Sequence, residues 1–394
     1  MFPNSPTPKP NYVDPPGPTL KPSLSPGRSI FGFLLLALLL PMSLFAQEEG
    51  GGIDTGDTSW ILVSTALVLF MNIPGLALFY AGLVRGKNVL SVLMHCFVLT
   101  ATMTVLWLVC GYSLAFSTTG MVEGTVNLKS FVGSLDLAML NGVDGSTTEG
   151  TIPKLLHFAF QMTFFIITPA LMVGAFVERM KFSSVLWFTA LWNLIVYAPI
   201  CHMVWGGGGG YFADKGVQDF AGGIVVHITA GIGALVACIV LGPRKGYPNS
   251  PMMPHNLPMT VTGAAMLWVG WFGFNGGSAL GANEDAASAL VVTQISASVA
   301  TLVWMAIEWI KHGKPSMLGA ATGAISFGKA ASDKVFKSID ANKDGGISMA
   351  EISSIDKNVK RGIMHKNTAA RKKSQLTFKV KALEPGAAPA PAAA

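Results

Sequence analysis

Long apolar segments separated by short polar connections dominate the pattern of this chain. Each segment has about 20 residues or more, the length that an α-helix needs to cross a bilayer, whereas barrel strands are about half as long. The seven segments are roughly 59–83, 89–116, 155–177, 182–204, 220–241, 257–275 and 286–310. The pattern predicts an all-α, multi-pass membrane protein. The composition agrees, because only 12% of the residues are charged, against about 25% in soluble proteins.

The basic residues of the connections predict the orientation in the membrane. Connections of one set carry eight of them, namely Arg85, Lys87, Arg179, Lys181, Arg244, Lys245, Lys311 and Lys314. The other set carries only Lys129 and Lys215. Because basic connections stay in the cytoplasm, we expect an inner (plasma) membrane protein with its mature N-terminus outside and its C-terminal part in the cytoplasm.

The N-terminal region does not resemble the membrane segments. Residues 1–27 are rich in Pro and Ser without periodicity, which is typical of disorder. Residues 28–46 consist of a basic residue, a short apolar core and Ala46 before a polar stretch, which predicts a signal peptide. An uncleaved membrane anchor is the alternative, because Leu44 is large for a cleavage motif.

One histidine lies inside an apolar segment that begins with an acid. Residues 219–227 read DFAGGIVVH, so Asp219 precedes the segment and His227 follows a little over two helical turns later. An ionisable side chain at membrane depth is costly and is by default a functional candidate. A structural histidine that bonds to a neighbouring helix explains the same stretch equally well.

Aromatic side chains and a hydroxyl accumulate at the predicted outer ends of several segments. They are Phe160, Phe164, Trp205, Phe274 and Ser278. Aromatic faces attract cations, and a serine hydroxyl accepts hydrogen bonds, so the group suits a small cation that sheds its charge. Each aromatic alone is also a normal packing residue or membrane anchor, and sequence spacing does not show that these side chains meet.

A family resemblance favours the functional interpretation. The matching strings are MNIPGLALFYAGLVRGKNVLS (71–91), VGAFVERMKFSSVL (173–186), HMVWGGGG (202–209), DFAGGIVVHI (219–228), PHNLPM (254–259), GWFGFNGGSA (270–279) and GKPSMLGAATGAI (313–325). In this order they resemble the ammonium transporter family (Amt/Mep/Rh). The resemblance implies a membrane bundle of eleven spans, of which this chain carries about seven, and a homotrimer with one pore per subunit.

The resemblance also assigns roles to individual residues. It implies recruitment of ammonium at Phe164, Trp205 and Ser278, a gate at Phe164 and Phe274 with Phe160 as a further outer aromatic, a pore histidine at His227, and Asp219 as a structural acid of the vestibule. The implied substrate is ammonium or ammonia in a lipid bilayer. Neither enzymatic chemistry nor a cofactor is expected for transport.

The chain departs from the family at the second pore histidine. The family carries that residue on its tenth span, but here the resemblance ends near residue 325 and no later histidine lies in an apolar segment. The transporter domain, 57–325, is therefore expected to be incomplete. We expect impaired transport, because the pair of histidines cannot form within this chain.

A polar segment with a calcium-loop pattern follows a boundary near Ser326. Residues 340–351, DANKDGGISMAE, fit an EF-hand loop, within a motif that spans 333–355. The expected Ca²⁺ ligands are Asp340, Asn342, Asp344, Gly346, Ser348 and Glu351. An ordinary polar linker is the alternative.

The C-terminal region is basic. Residues 356–383 predict a short helical appendage, and RGIMHKNTAARKKSQL resembles the C-terminal helix of bacterial small-subunit ribosomal protein number twenty. The resemblance implies ribosomal RNA as a partner, with contacts at Lys366, Asn367, Arg371, Lys372 and Lys373. Attraction to anionic lipid is the alternative, and residues 384–394 are expected to be disordered. The competing function is a membrane-anchored calcium-binding or RNA-binding fusion protein without transport.

Overall fold

The computed structural model describes residues 52–328, and these form a helical bundle with one small hairpin. Seven helices are long and apolar enough to cross a membrane: α1 Thr55–Leu83, α2 Gly86–Phe116, α3 Lys154–Phe176, α4 Phe182–Trp205, α5 Gly223–Leu241, α6 Leu257–Gly276 and α7 Glu284–His312. A shorter helix, α8, covers Met317–Gly328. The seven apolar segments of the sequence thus correspond to seven helices, and the predicted all-α class is confirmed.

Helix α1 is interrupted near its middle. Regular helix covers Thr55–Phe70 and Ala77–Leu83, and a π-helical turn at Met71–Leu76 joins them. Ile73 inside this turn has non-helical torsion angles, φ −128° and ψ 112°. The cause is Pro74, because proline lacks an amide hydrogen and its ring crowds the preceding turn.

Helices α1 and α6 approach so closely that glycine is required at their contact. A Cβ atom at Gly263 would lie 2.3 Å from the backbone nitrogen of Phe79. A Cβ atom at Gly82 would lie 2.6 Å from the backbone nitrogen of Thr260 on the other helix. Small residues let membrane helices pack backbone against backbone, and this contact sets the position of the aromatic end of α6.

Helix α3 lies at the centre of the described bundle. In its most apolar window 78% of the residues are buried, against 22% for α5 and 17% for α7. The outward faces of α5 and α7 consist of large apolar side chains such as Val240 and Ile310, which are 78% and 85% exposed. These faces suit lipid or further protein, and the buried face of α3 forms the core.

The connections 117–153, 206–222 and 277–283 lie at one end of the bundle, which we call the vestibule end. It carries the hairpin of β1 Thr148–Glu149 and β2 Ile152–Pro153, with Glu149 opposite Ile152. The backbone nitrogen of Asp54 donates to the carbonyl oxygen of Thr151 at 2.8 Å, which fastens the hairpin to the start of α1.

An ion pair organises the opposite end. Arg85 binds the carboxylate of Glu178, and the side chain of Asn88 donates to the same carboxylate. Burial alone would raise the pKa of Glu178, but the hydrogen bonds and the charge of Arg85 outweigh it and hold this pKa below its ordinary value. Arg244 donates to the carbonyl oxygen of Gly174 at 2.9 Å. Basic residues that indicate orientation thus also bind the end of α3 and the connection that follows it.

Several predictions concern residues outside the described range. These are the disordered segment 1–27, the signal peptide 28–46, the calcium loop 340–351, the basic helix 356–383 and the tail 384–394. They stay predictions. The boundary near Ser326 lies inside α8, which reaches Gly328.

Candidate functional site

Two phenylalanines of α3 begin a column of rings. Phe160 and Phe164 are four residues apart, so they lie on the same face of the helix. Their ring centroids are 5.0 Å apart at an interplanar angle of 68°, and both side chains are completely buried. This edge-to-face arrangement is the favourable one for two aromatic rings.

Phe164 connects α3 to α4 and α6. Its ring centroid lies 5.9 Å from that of Trp205, at 87°, and 4.5 Å from that of Phe274, at 39°. Trp205 ends α4 and Phe274 lies near the end of α6. Three aromatics from three different helices therefore converge at the vestibule end.

His227 lies on the far side of this convergence. Its ring stacks on Phe274 with centroids 5.7 Å apart and an interplanar angle of 24°, and Trp271 lies 6.3 Å away. His227 and Phe274 both belong to π-helical turns, Gly223–Ile228 and Phe272–Gly276. Such turns are frequent at functional sites because they redirect side chains within a helix.

Asp219 binds the start of α5. One carboxylate oxygen accepts from the backbone nitrogens of Gly222 and Gly223, and the other accepts from Ile224 and Val225, all at 2.7–2.8 Å. The carboxylate thus satisfies amides that a helix N-terminus leaves unpaired, and its charge suits the positive end of the helix dipole. These contacts fix the backbone at the start of α5, and the role of Asp219 in a vestibule stays a prediction.

Asp219 and Ser278 also make contacts to the aromatic group. The indole nitrogen of Trp205 donates to the carbonyl oxygen of Asp219 at 2.6 Å. The hydroxyl of Ser278 donates to the carbonyl oxygen of Phe274 at 2.7 Å. Since its hydrogen is used in this bond, the Ser278 oxygen acts as an acceptor toward any ligand.

A cavity of about 290 Å³ lies between these groups, and we call it the vestibule cavity. Its lining residues are Phe116, Glu149, His157, Gln161, Trp205, Asp219, Phe220, Ser278 and Leu280. Of the site residues predicted from the sequence, three line this cavity, namely Trp205, Ser278 and Asp219. Phe164 contacts Trp205, and the rings of Phe160 and Phe274 contact Phe164, with His227 stacked on Phe274.

Sequence reasoning missed four residues of this region, namely Trp271, Glu149, His157 and Gln161. One signal was available, because His157 and Gln161 are polar residues one helical turn apart in an apolar helix. His157 is part of the structural packing, with its Nδ1 atom 3.1 Å from the hydroxyl of Tyr112. Glu149 gives no signal, since it lies in a polar connection.

Another buried histidine shows how a purely structural one is bound. His202 has Nδ1 3.1 Å from the carbonyl oxygen of Ala115 and Nε2 2.7 Å from that of Lys129. It therefore joins two backbone segments, whereas the ring of His227 stacks in the aromatic column. Within residues 52–328, no group of three or more His, Cys, Asp or Glu side chains could hold a metal ion.

Comparison with known proteins identifies the family. A sequence model of the Ammonium Transporter Family matches residues 59–341, well over half of the chain. This chain is a member of the ammonium transporter family. The match extends past the end of the resemblance near residue 325 and overlaps a second match, to ribosomal protein S20, over residues 328–381.

Ammonium transporters of known sequence and structure agree with this assignment. The ammonium transporter of Aquifex aeolicus is 44% identical over 75% of this chain and 67% of its own length. The putative ammonium transporter of Methanothermobacter thermautotrophicus is 46% identical over 70% of this chain and 65% of its own length. The crystal structure of Candida albicans Mep2 superposes with a TM-score of 0.65 at 33% identity, over 71% of this chain and 61% of Mep2. The chain thus spans about two thirds of the length of these transporters.

Proposed function

We propose that this protein takes up ammonium at the outer face of the inner membrane and passes it toward His227 as ammonia. One observation carries the proposal: Trp205 of α4, Phe164 of α3 and Ser278, just after the end of α6, come together beside the vestibule cavity. The vestibule end would face outward, and the end with the Arg85–Glu178 pair would face the cytoplasm, as the distribution of basic residues indicates.

The chemistry of recruitment follows from the side chains at the cavity. The rings of Trp205 and Phe164 would stabilise the cation through their negative faces. The Ser278 oxygen would accept one N–H bond, since its own hydrogen bonds to Phe274. A small cation with N–H donors is therefore the substrate class that suits this site, and transport would need neither a cofactor nor covalent chemistry.

The ring column would separate hydrated ions from neutral ammonia. Phe164 and Phe274 lie in contact and are almost completely buried, so a hydrated cation could not pass without their movement. Ammonium would transfer a proton to solvent water on the vestibule side of this pair. Ammonia would then pass along the imidazole of His227, which can exchange hydrogen bonds with it.

We further propose that this polypeptide transports little by itself. A second imidazole facing His227 would be needed to continue the pathway. Two later histidines lie in the described range, and neither is suitable: His255 belongs to the 242–256 connection, and His312 is the exposed last residue of α7. The face of α5 is also largely uncovered, so the pore wall beside His227 is open in a single chain. Assembly as a trimer is part of this proposal.

Binding and uptake test these two statements separately. Purified protein in lipid nanodiscs is expected to bind radiolabelled methylammonium, and Trp205→Leu should weaken binding about 5- to 30-fold, as loss of a cation–π contact of about 1–2 kcal/mol implies. Equal binding by Trp205→Leu would reject the recruitment site. Uptake of methylammonium by a transport-deficient host would reject the proposed impairment, and loss of that uptake in His227→Ala would then locate the pathway.

The match to ribosomal protein S20 favours a second candidate function for the C-terminal region. In that case the membrane part would anchor a segment that binds ribosomal RNA through Lys366, Asn367, Arg371, Lys372 and Lys373. Replacing Lys372 and Lys373 by Ala should weaken binding of ribosomal RNA and reduce its salt dependence. Affinity that is unaffected by both changes would reject this function.

Calcium binding by the predicted loop at 340–351 belongs to the same second candidate function. Calorimetry of the whole protein should give a heat of Ca²⁺ binding that is lost in Glu351→Gln, because the twelfth loop position supplies both carboxylate oxygens. Equal heats for the wild type and this variant would reject Ca²⁺ binding at the loop.

A further inference from the structure

The vestibule cavity has a polar wall in addition to its aromatic wall. Trp205 ends α4 and Ser278 lies just after α6, whereas Gln161 belongs to α3 and Glu149 to the hairpin. Building on the proposed function, we propose that Gln161 and Glu149 bind the cation together with Trp205 and Ser278. Gln161 would supply a hydrogen-bond acceptor, and Glu149 would supply the negative charge that attracts the cation.

Gln161 is a buried polar side chain with an unused acceptor. It is only 7% exposed, although it lines the cavity. Its Oε1 atom receives no hydrogen bond from any residue in the described part of the chain. A buried acceptor without a partner destabilises the folded protein. A ligand that donates an N–H bond inside the cavity removes this destabilisation.

Glu149 is the acid of the cavity whose charge remains available. The carboxylate of the other acid, Asp219, already accepts four backbone N–H bonds. The carboxylate of Glu149 is exposed and makes no hydrogen bond or ion pair within residues 52–328. Lys154, at the start of α3, is not among the residues that line the cavity.

The hairpin holds Glu149 in place. Glu149 pairs with Ile152, which is completely buried. The backbone nitrogen of Lys154 donates to the carbonyl oxygen of Thr147 at 2.7 Å, and the hydroxyl of Thr151 donates to Asp57 on α1. The backbone of Glu149 is therefore tied to both α1 and α3, which border the site.

These contacts define the ligand class. An ammonium ion has four N–H bonds and no acceptor, so it needs oxygen acceptors and aromatic faces around it. Ser278 and Gln161 supply two oxygens, and Trp205 supplies a face. A primary alkylammonium ion keeps three N–H bonds and fits the same contacts with its methyl group on the aromatic side. Glu149 adds charge attraction, which depends on ionic strength.

Equilibrium binding of radiolabelled methylammonium to the whole protein in nanodiscs tests the inference. Glu149→Gln should weaken binding roughly two- to fivefold at low salt, as expected for an exposed charge pair, and the difference should disappear at high salt. Gln161→Met keeps the length of the side chain but removes the acceptor, and it should weaken binding about tenfold or more at any salt concentration. Glu123→Gln removes an exposed acid of the same end outside the cavity and should leave binding unchanged.

The outcomes separate this inference from the proposed function. Unchanged affinity in both Glu149→Gln and Gln161→Met, with weakened binding in Trp205→Leu, would overturn the polar wall and keep the recruitment site. Unchanged affinity in Trp205→Leu would reject the recruitment site itself. An equal loss in Glu123→Gln and Glu149→Gln would show a general effect of charge and overturn the role of Glu149. Glu149 is exposed, so this variant is expected to fold even if Gln161→Met does not.

Discussion

The imidazole of His227 stacks on the ring of Phe274 with centroids 5.7 Å apart and an angle of 24° between the planes. Phe274 in turn contacts Phe164, so a column of rings joins the vestibule end to the first turns of α5. Both His227 and Phe274 lie on π-helical turns. The column makes Phe164, Phe274 and His227 parts of one packed unit, so replacing one ring should disturb the packing of the others.

Phe274→Ala should remove the ring that joins Phe164 to His227. The ring is almost completely buried, so the free energy of unfolding should fall by about 3–5 kcal/mol. Methylammonium binding should weaken less than in Trp205→Leu, because Ser278 bonds to the main chain of residue 274 and alanine keeps that bond. Thermal unfolding and equilibrium binding would measure the two effects.

Phe97→Ala is the matched control for this ring. Phe97 is 64% exposed on α2, so its loss should change the free energy of unfolding by about 0.5 kcal/mol or less. Equal destabilisation by the two variants would contradict the ring column as a packed unit.

Asp219→Asn should loosen the start of α5. Asparagine keeps one oxygen, whereas the carboxylate accepts four backbone N–H bonds. The free energy of unfolding should fall by about 1.5–3 kcal/mol, the contribution of a hydrogen bond to a charged group. Hydrogen exchange at residues 222–225 should become faster, and Glu123→Gln should leave it unchanged. Wild-type protection of these amides in Asp219→Asn would speak against the capping role.

Gly263→Ala should separate α1 from α6. The added Cβ atom would lie 2.3 Å from the backbone nitrogen of Phe79, and backbone cannot move aside as a flexible side chain can. We expect destabilisation by about 1–3 kcal/mol or more in a thermal unfolding assay.

Gly231→Ala provides the control for this packing argument. No heavy atom lies within 4 Å of a Cβ at Gly231, so alanine should be neutral or stabilise α5 by about 0.5–1 kcal/mol. If both glycine variants behaved alike, helix propensity rather than close packing would explain the result.

Glu178→Gln should change the pH dependence of stability. The pKa of Glu178 is lowered in the folded protein, so its stabilisation is present above the unfolded value of about 4.3 and is lost as pH falls through the folded value. At pH 7 the variant should be less stable than the wild type by about 1.5–3 kcal/mol. This difference should shrink as the pH falls below about 4, and a constant difference in detergent melting curves would contradict the ion pair.

Much of the fold could be predicted from the chain alone. The seven membrane helices follow from the length of the apolar segments, because each helix satisfies its backbone hydrogen bonds locally and needs only enough apolar residues to cross the bilayer. Their boundaries differ from the predictions by only a few residues, as at the start of α5, which begins at Gly223 rather than 220. The apolar segments and the polar residues that border them are local signals, and they are sufficient to predict the helices and their approximate boundaries.

Only part of the candidate site could be predicted from the sequence. Trp205, Phe164 and Phe274 could be selected as aromatics with cation chemistry, and the family resemblance assigned them roles. Their spacing could not show that they meet, because the contact depends on how α3, α4 and α6 pack. Gln161 and Glu149 were missed because one resembles a tolerated polar residue and the other an ordinary loop acid.

Local information in the sequence accounts for the spans, the expected orientation and the family. The positions of the functional groups relative to one another depend instead on contacts between distant segments. The close approach at Gly263 sets α6 against α1, the four bonds to Asp219 set the start of α5, and together they hold His227 against Phe274. These contacts arise from packing and from satisfied backbone groups, which no single segment specifies alone.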